Sequence, residues 1–380
     1  MGKLDYNDIP STSKLRNILT RNNKINHKIE LELYLDIYNG LNCLNEFKIH
    51  KLIEILGNKP DLLLTNLEKI IPVLEIDKSN NTTSYYNKKN NKIYHCLKFI
   101  KKGSFHQIYE IKEESSEELL VLRKQVKGNK KILIECFMDS LIHMILSIYQ
   151  GKILIDNNSY RGKYIIPKIY GLYLNSKKNK IISILDEFPG SVKELIYDET
   201  LSSYQKFKII INCIYQIATY LQDFQKIFKF MHNDLKINNI FYKKESFANL
   251  DDNYNFFLAD FGFSRIEFWD LINNKKIIYC AADKKSKIYQ KSNLFIPSKD
   301  IYFLFHSFLF FCPDQVLFEE LKEFGIKTFG KINLDIIDIK KGWSLLYSDY
   351  KHHLTYEPVN FLKAIHKSEY NSYITRKTTF

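Results

Sequence analysis

Arginine is scarce in this chain. Lys and Arg together number 56, yet Arg stands only at positions 16, 21, 123, 161, 265 and 376. Proteins that grip nucleic acid favour Arg, whose planar fork pairs with phosphates and guanine edges. The formal charge of +13 therefore does not announce a nucleic-acid partner. The lysines travel instead with heavy Asn and Ile usage, the mark of an A- and T-rich genome. Clustered cysteine is missing too: the six Cys (43, 96, 136, 213, 280, 312) form no CxxC and no Cys/His group. That excludes a structural zinc site and fits a reducing compartment. The longest apolar run, IYFLFHSFLFFC at 301–312, has twelve residues and contains His306. A membrane span needs about twenty, so this run reads as a buried helix. The N-terminus MGKLDYNDIP has no apolar core of a secretory signal, and Tyr6 stands where a myristoylation motif wants Ser or Thr. What the chain does have is 45% hydrophobic and 14% aromatic residues, which rules out a disordered polymer and permits a large core.

No internal repeat is visible, but the character changes along the chain. Residues 1–92 read as a helical extension, with apolar residues at helical spacing in IELELYLDIYNGLNCLNEF and IHKLIEILG. The polar, turn-rich SNNTTSYYNKKNNK (79–92) reads as a linker. IYHCLKFI, HQIYEI and LLVLRKQV are short β-rich runs that suggest an antiparallel sheet. ILIECFMDSLIHMILSIYQ (132–150) has helical periodicity; YIIPKIYGLYL and KIISILDEF return to strand. From residue 192 onward helices dominate.

The chemistry concentrates in MHNDLKINNIFY, beginning at Met231, and in FFLADFGFSRI, whose Asp260 lies twenty-one residues beyond Asn239. These segments resemble the catalytic loop and metal-binding motif of the protein-kinase superfamily, H-R-D-L-K-x-x-N and D-F-G. The matched positions are His232, Asp234, Leu235, Lys236, Asn239, Asp260, Phe261 and Gly262. Phosphoryl transfer is largely positioning and charge neutralisation, which is why acids, amides and a lysine recur at this spacing. The resemblance implies that Asp234 orients the attacking hydroxyl and accepts its proton, that Lys236 neutralises the moving phosphate, and that Asn239 and Asp260 supply hard oxygen ligands for Mg2+ (or Mn2+). It also implies an α+β, two-lobed protein-kinase fold: a small β-rich N-lobe at 93–188 and a larger helical C-lobe at 189–380, after the N-terminal extension.

Further positions follow from the same resemblance. FIKKGSFHQIYEI looks like a degraded glycine-rich loop in which Gly103 alone survives, with Ser104 and Phe105 at its tip and Lys101 and His106 where glycines are usual. Lys124, sixteen residues after Ile108, is the expected phosphate-holding lysine, with Leu122 packing on adenine and Arg123 the competing choice. Glu135 is its expected carboxylate partner, Asp139 the rival. Leu185 occupies the gatekeeper position, backbone groups of Asp186, Glu187 and Phe188 meet the adenine edge, and Phe241 floors the pocket. Asp300, opening the apolar helix, corresponds to the family's buried aspartate. Asn233 replaces the Arg that normally pairs with a phosphorylated loop, which implies activity independent of such phosphorylation. No Ala-Pro-Glu motif follows.

The late helix, weak glycine loop, N-terminal extension and closing YEPVNFLKAI together look like poxvirus-type late serine/threonine kinases and their relatives in other large DNA viruses. That implies an ATP-dependent Ser/Thr protein kinase acting on protein substrates in the host cytoplasm or virion. It implies no nucleic-acid partner; peripheral contact with an anionic membrane and the oligomeric state stay open. Two other readings stand beside it: a choline- or aminoglycoside-type small-molecule kinase, in which His-Asn-Asp-Leu is common, and a pseudokinase scaffold, suggested by the eroded loop.

Overall fold

A computed structural model describes residues 71–374, apart from 80–81, 88–90, 104, 128–129, 157–164, 176, 178, 245–253, 271–274, 281–294, 331 and 333–353. The helices expected within 1–70, and Ser104, lie outside the described residues.

Seven strands close into a barrel: β1 (Val73–Ser79), β2 (Thr82–Asn87), β3 (Lys92–Lys102), β4 (His106–Glu113), β5 (Leu119–Gln125), β6 (Ile169–Asn175) and β7 (Ile181–Asp186), in the order β1-β2-β3-β4-β5-β7-β6. The ring shuts where β1 pairs in parallel with β6, Val73 opposite Leu174. Inside lies one apolar cluster, in which Leu74, Tyr85, Tyr94, Ile111, Leu122 and Ile182 are among the buried members. Alternation along each strand selects these residues, since every second side chain faces the same way.

Two expectations are corrected here. Residues 73–87 are neither helical extension nor linker but the β1–β2 hairpin, so the β domain starts about twenty residues before 93. The polar residues of SNNTTSYYN misled because only alternate positions need be apolar; Tyr85 points inward while Ser84 and Tyr86 bond outward to His95 and Glu75. Leu122 belongs to the barrel interior, not to an adenine site.

Against the outside of the barrel lies α1 (Lys130–Asp156). Its stretch Ile132–Gln150 has the length and mean hydropathy (1.7) to cross a bilayer, but 78% of that window is buried within the protein. A second, larger core gathers α1 with α2 (Val192–Ile196), α3 (Ser203–Phe228), α4 (Lys299–Phe310), α5 (Gln315–Phe329) and α6 (Pro358–Lys367). The long α3 starts at a capping box, in which Ser202 accepts from the Gln205 amide and Gln205 accepts from the Ser202 amide. It ends at Lys229, whose φ of 46° stops the helix in the left-handed region. Most of the apolar run 301–312 is the buried helix its composition foretold: Lys299 to Leu309 of α4 are buried, His306 included, and the run ends partly buried at Phe310 to Cys312. A small sheet, β10-β9-β8, runs between barrel and helices (β8 Gly190–Ser191, β9 Ile240–Lys244, β10 Tyr254–Leu258), and β11 (Arg265–Asp270) pairs with β12 (Lys275–Cys280).

The two faces of β5 make a testable contrast. Leu122→Ala removes a fully buried barrel residue and is expected to cost ~3 kcal/mol. Leu119→Ala, on an exposed position of the same strand, is expected to stay within ~0.5 kcal/mol. Urea unfolding of both variants checks this; equal losses would contradict the burial pattern.

Candidate active site

The segment between α3 and β9 is held by one carboxylate. Asp300, fully buried in the first turn of α4, accepts from the backbone amides of His232 (2.8 Å) and Asn233 (2.9 Å). Burial raises its carboxyl, while His232, the two amides and Lys299 pull it back down. Asn233 takes φ of 66°, a left-handed conformation that Asn tolerates better than most residues. Its side chain donates to the Phe263 carbonyl (2.9 Å) and accepts from Lys299 Nζ (2.7 Å). His232 Nε2 faces the Ala259 carbonyl at 2.9 Å and so carries the proton there. Ser264 Oγ donates to the His232 carbonyl, and the Ile237 amide donates to Ser307 Oγ.

This frame presents Asp234. Lys236 Nζ lies 2.7 Å from its Oδ2, and Asn239 Nδ2 donates both to that oxygen (3.1 Å) and to the Asp234 carbonyl (2.8 Å). Both amide hydrogens of Asn239 are thus directed at Asp234, leaving Oδ1 as its ligand atom. The Ala259 amide donates to the Asn239 carbonyl at 2.9 Å, which sets Asp260 beside Asn239. Asp260 is exposed, with φ of 63°. Among the described residues no three His, Cys, Asp or Glu side chains cluster as a metal cage. One amide oxygen plus one exposed carboxylate suits Mg2+, which keeps several waters and takes phosphate oxygens as further ligands.

Across from this loop, the structure replaces the expected cation pair with the two residues that competed for it. Arg123 Nη2 stands 2.8 Å from Asp139 Oδ2, an ion pair without the alignment of a hydrogen bond. The Arg123 fork also donates to Ser183 Oγ (3.1 Å) and contacts Ser140 Oγ (3.3 Å). Lys124 points the other way, into the barrel, with Nζ 5.6 Å from the Tyr85 ring centre. Asp139, and not the expected Glu135, holds Arg123. The physical reason is alternation: Leu120, Leu122 and Lys124 face the barrel interior, so Val121 and Arg123 face α1. Counting fifteen residues from Ile108, its register partner, instead of sixteen would have found Arg123. Val121 stands opposite Leu185, so these two take the place assigned to Leu122 and Leu185. Burial raises the Asp139 carboxyl, Arg123 lowers it, and neighbouring Asp260 raises it again. The nearby Phe261 amide also favours the charged form.

The chain leaving β7 and the small sheet beside it are aromatic and acidic. Phe188 stacks on Phe241 (5.4 Å between centres) and tilts against Phe257, under Lys243. Asp186 spends its carboxylate on the Lys168 amide (2.6 Å) and the Tyr170 hydroxyl, and its own amide on the Lys168 carbonyl. It therefore braces the strand and offers a ligand only its carbonyl. Glu187 faces Glu110, a strand residue that no motif marks. Lys98 Nζ, 2.7 Å away, keeps Glu110 ionised, while burial and then Glu110 raise Glu187. Gly103 donates its amide to the His106 carbonyl at 2.7 Å, so it closes the β3–β4 turn, and Phe105 is exposed.

No protein-family model matches the chain, and no curated protein matches it. Among solved structures, the crystal structure of a kinase domain is similar at 17% identity with a TM-score of 0.33, over 46% of this chain and 51% of that one. The chain thus spans about half the length of that structure's chain, and a likeness at that score is too coarse to assign a fold.

Behind the Arg123–Asp139 pair, a ring column runs from His143 to Phe261 (5.1 Å) and on to His232 (5.4 Å). Burial, then Arg123, pushes His143 down to about 3, against an opposing bond to the Pro167 carbonyl. The unfolded chain takes up a proton near pH 6.5 that the folded protein refuses until about pH 3. Stability is full above the upper value and falls by up to ~1.4 kcal/mol per pH unit below it. His143→Leu is expected to lessen that acid slope. Chemical denaturation at pH 7, 6, 5 and 4 checks this, and parallel slopes for both proteins would refute it.

Proposed function

We propose that the chain is a phosphotransferase of the protein-kinase type, passing the γ-phosphate of ATP to Ser or Thr hydroxyls of protein substrates. The observation that carries this reading is the convergence of Asp234, Lys236 and Asn239 on one carboxylate oxygen, on a loop suspended from buried Asp300, with Asp260 beside it. In this reading the two-lobed kinase arrangement is the barrel with α1 above and the α3–α6 core below.

Each side chain then has work its geometry allows. Asp234, an acceptor only, orients the substrate hydroxyl and takes its proton. Lys236 offsets charge on the transferring phosphate as a point cation two residues away. Arg123, aimed by Asp139, holds nucleotide phosphates through its fork. Val121, Leu185, Phe188 and Phe241 supply apolar surface for the base. Asn239 Oδ1 and the Asp260 carboxylate would hold Mg2+, which when bound screens the phosphate oxygens against the attacking hydroxyl. The preference for Ser/Thr proteins and the large-virus affiliation are supported by the Asp-Leu-Lys spacing and the sequence resemblance alone.

Purified protein with labelled ATP and Mg2+ is expected to label a casein-like protein and not choline-like acceptors. Asp234→Asn is expected to lower the rate at least ~100-fold. Arg123→Met is expected to raise the KM for ATP, and Asp260→Asn to raise the Mg2+ concentration needed for half-maximal rate. Labelling of the small acceptor alone would move the reading to a small-molecule kinase. No transfer at all, with Asp234→Asn matching wild type in nucleotide binding, would leave a scaffold.

A further inference from the structure

One end of the barrel gathers the hairpins β1–β2, β3–β4 and β6–β7. Three lysines stand there on the alternation that lines the barrel interior, Lys124 and Lys180 partly buried and Lys78 exposed at the rim. Lys78 follows Leu74 and Ile76 on β1, Lys124 follows Leu120 and Leu122 on β5, and Lys180 precedes Ile182 and Ile184 on β7. Register agrees: Lys124 is opposite Ile182 and Gln107, and Lys78 is opposite Thr83, two residues before inward-facing Tyr85. Each lysine is thus the next inward position beyond the apolar barrel core.

The partners seen for Lys124 and Lys180 are an aromatic ring, a thiol and a carbonyl. Lys124 is half-buried, over the Tyr85 ring, with the Cys96 thiol close by. Lys180 Nζ donates to the Val126 carbonyl at 2.6 Å. Among the described residues none of the three makes an ion pair. The carboxylates of β1, Glu75 and Asp77, sit on the outward-facing alternate positions. Burial, then the nearby Lys180 and Lys78 charges, lowers the Lys124 ammonium below its ordinary value. Like charges set together in a partly dry place destabilise the fold unless an anion joins them. A lysine ring over a purely structural core would be replaceable by any polar residue; a ring of inward cations has a use when an oxyanion sits among them.

We propose that this barrel mouth is a binding site for a phosphate-bearing anion, held by Lys78, Lys124 and Lys180, on the face of β5 opposite the cleft that contains Arg123. The shared chemistry is a multiply charged phosphate oxyanion, whether from a soluble phosphorylated compound or from a lipid headgroup. The site stands apart from phosphoryl transfer and does not depend on it.

The test uses the full chain at fixed ionic strength. Inorganic pyrophosphate is titrated against thermal unfolding and by calorimetry, and phosphatidic-acid vesicles are compared with phosphatidylcholine vesicles in sedimentation. Pyrophosphate is expected to raise Tm and bind wild type, with Kd weakened at least ~10-fold in Lys124→Met or Lys78→Gln, about the loss of one charge-assisted hydrogen bond. Without anion, Lys124→Met is expected to be no less stable than wild type, because it relieves repulsion, which a merely structural lysine would not show. Asp260→Asn and Arg123→Gln are expected to keep the pyrophosphate response, so a failed phosphotransfer reading leaves this result intact. Sedimentation with phosphatidic acid alone would assign the site to a headgroup. Loss of pyrophosphate binding in Arg123→Gln but not in Lys124→Met, equal binding by all variants, or binding of neither probe would overturn the proposal.

Discussion

Everything in the lower half of the cleft hangs from Asp300. A carboxylate sealed at the start of α4 spends its two oxygens on consecutive amides, His232 and Asn233, and so dictates the path of the loop on which Asp234 sits. Burying a charge is costly unless its bonding capacity is filled. Here two amide donors and nearby Lys299 fill it, and Lys299 in turn is tied to the Asn233 side chain. Remove that anchor and the left-handed turn at Asn233, the contact to Phe263 and the orientation of Asp234 lose their common support.

The same economy links the two halves of the molecule. Arg123 on β5 meets Asp139 on α1, and the Phe261 amide beside Asp260 acts on the same carboxylate. A buried pair of this kind is weak evidence for stability, since dehydrating both charges cancels much of their attraction. What the pair does is fix the guanidinium in place, with Asp139, Ser140 and Ser183 around it. His143, Phe261 and His232 pack tilted against one another behind it and connect α1 to the suspended loop through contacts of rings.

Much of the candidate site was legible in the chain because its residues lie close together in sequence. His232 to Asn239 span a single loop, and Asp260 to Gly262 follow one hairpin later, so spacing alone carries the pattern. Helices with a strongly apolar face were legible for a similar reason: α3 and α4 bury continuous stripes. The β1–β2 hairpin was hidden because Asn, Thr and Ser dominate its outward face and the turn that joins its strands. Glu110 was hidden because nothing in a strand sequence tells which acid will meet Glu187 from sixty or more residues away.

The sequence by itself determined the order of the reactive residue types, the strand and helix segments from β3 to β7, and the buried character of most of 301–312; the β11–β12 pair lay in a stretch that read as mainly helical. It did not determine which of two adjacent cations faces the cleft. Arg123 and Lys124 differ by one position, and in a strand one position is the difference between two opposite faces. Only closure of the sheet by β1 and β2 made one of those faces a barrel interior and the other the surface that meets α1. Tertiary packing therefore set the arginine against α1 and the lysine at the barrel mouth.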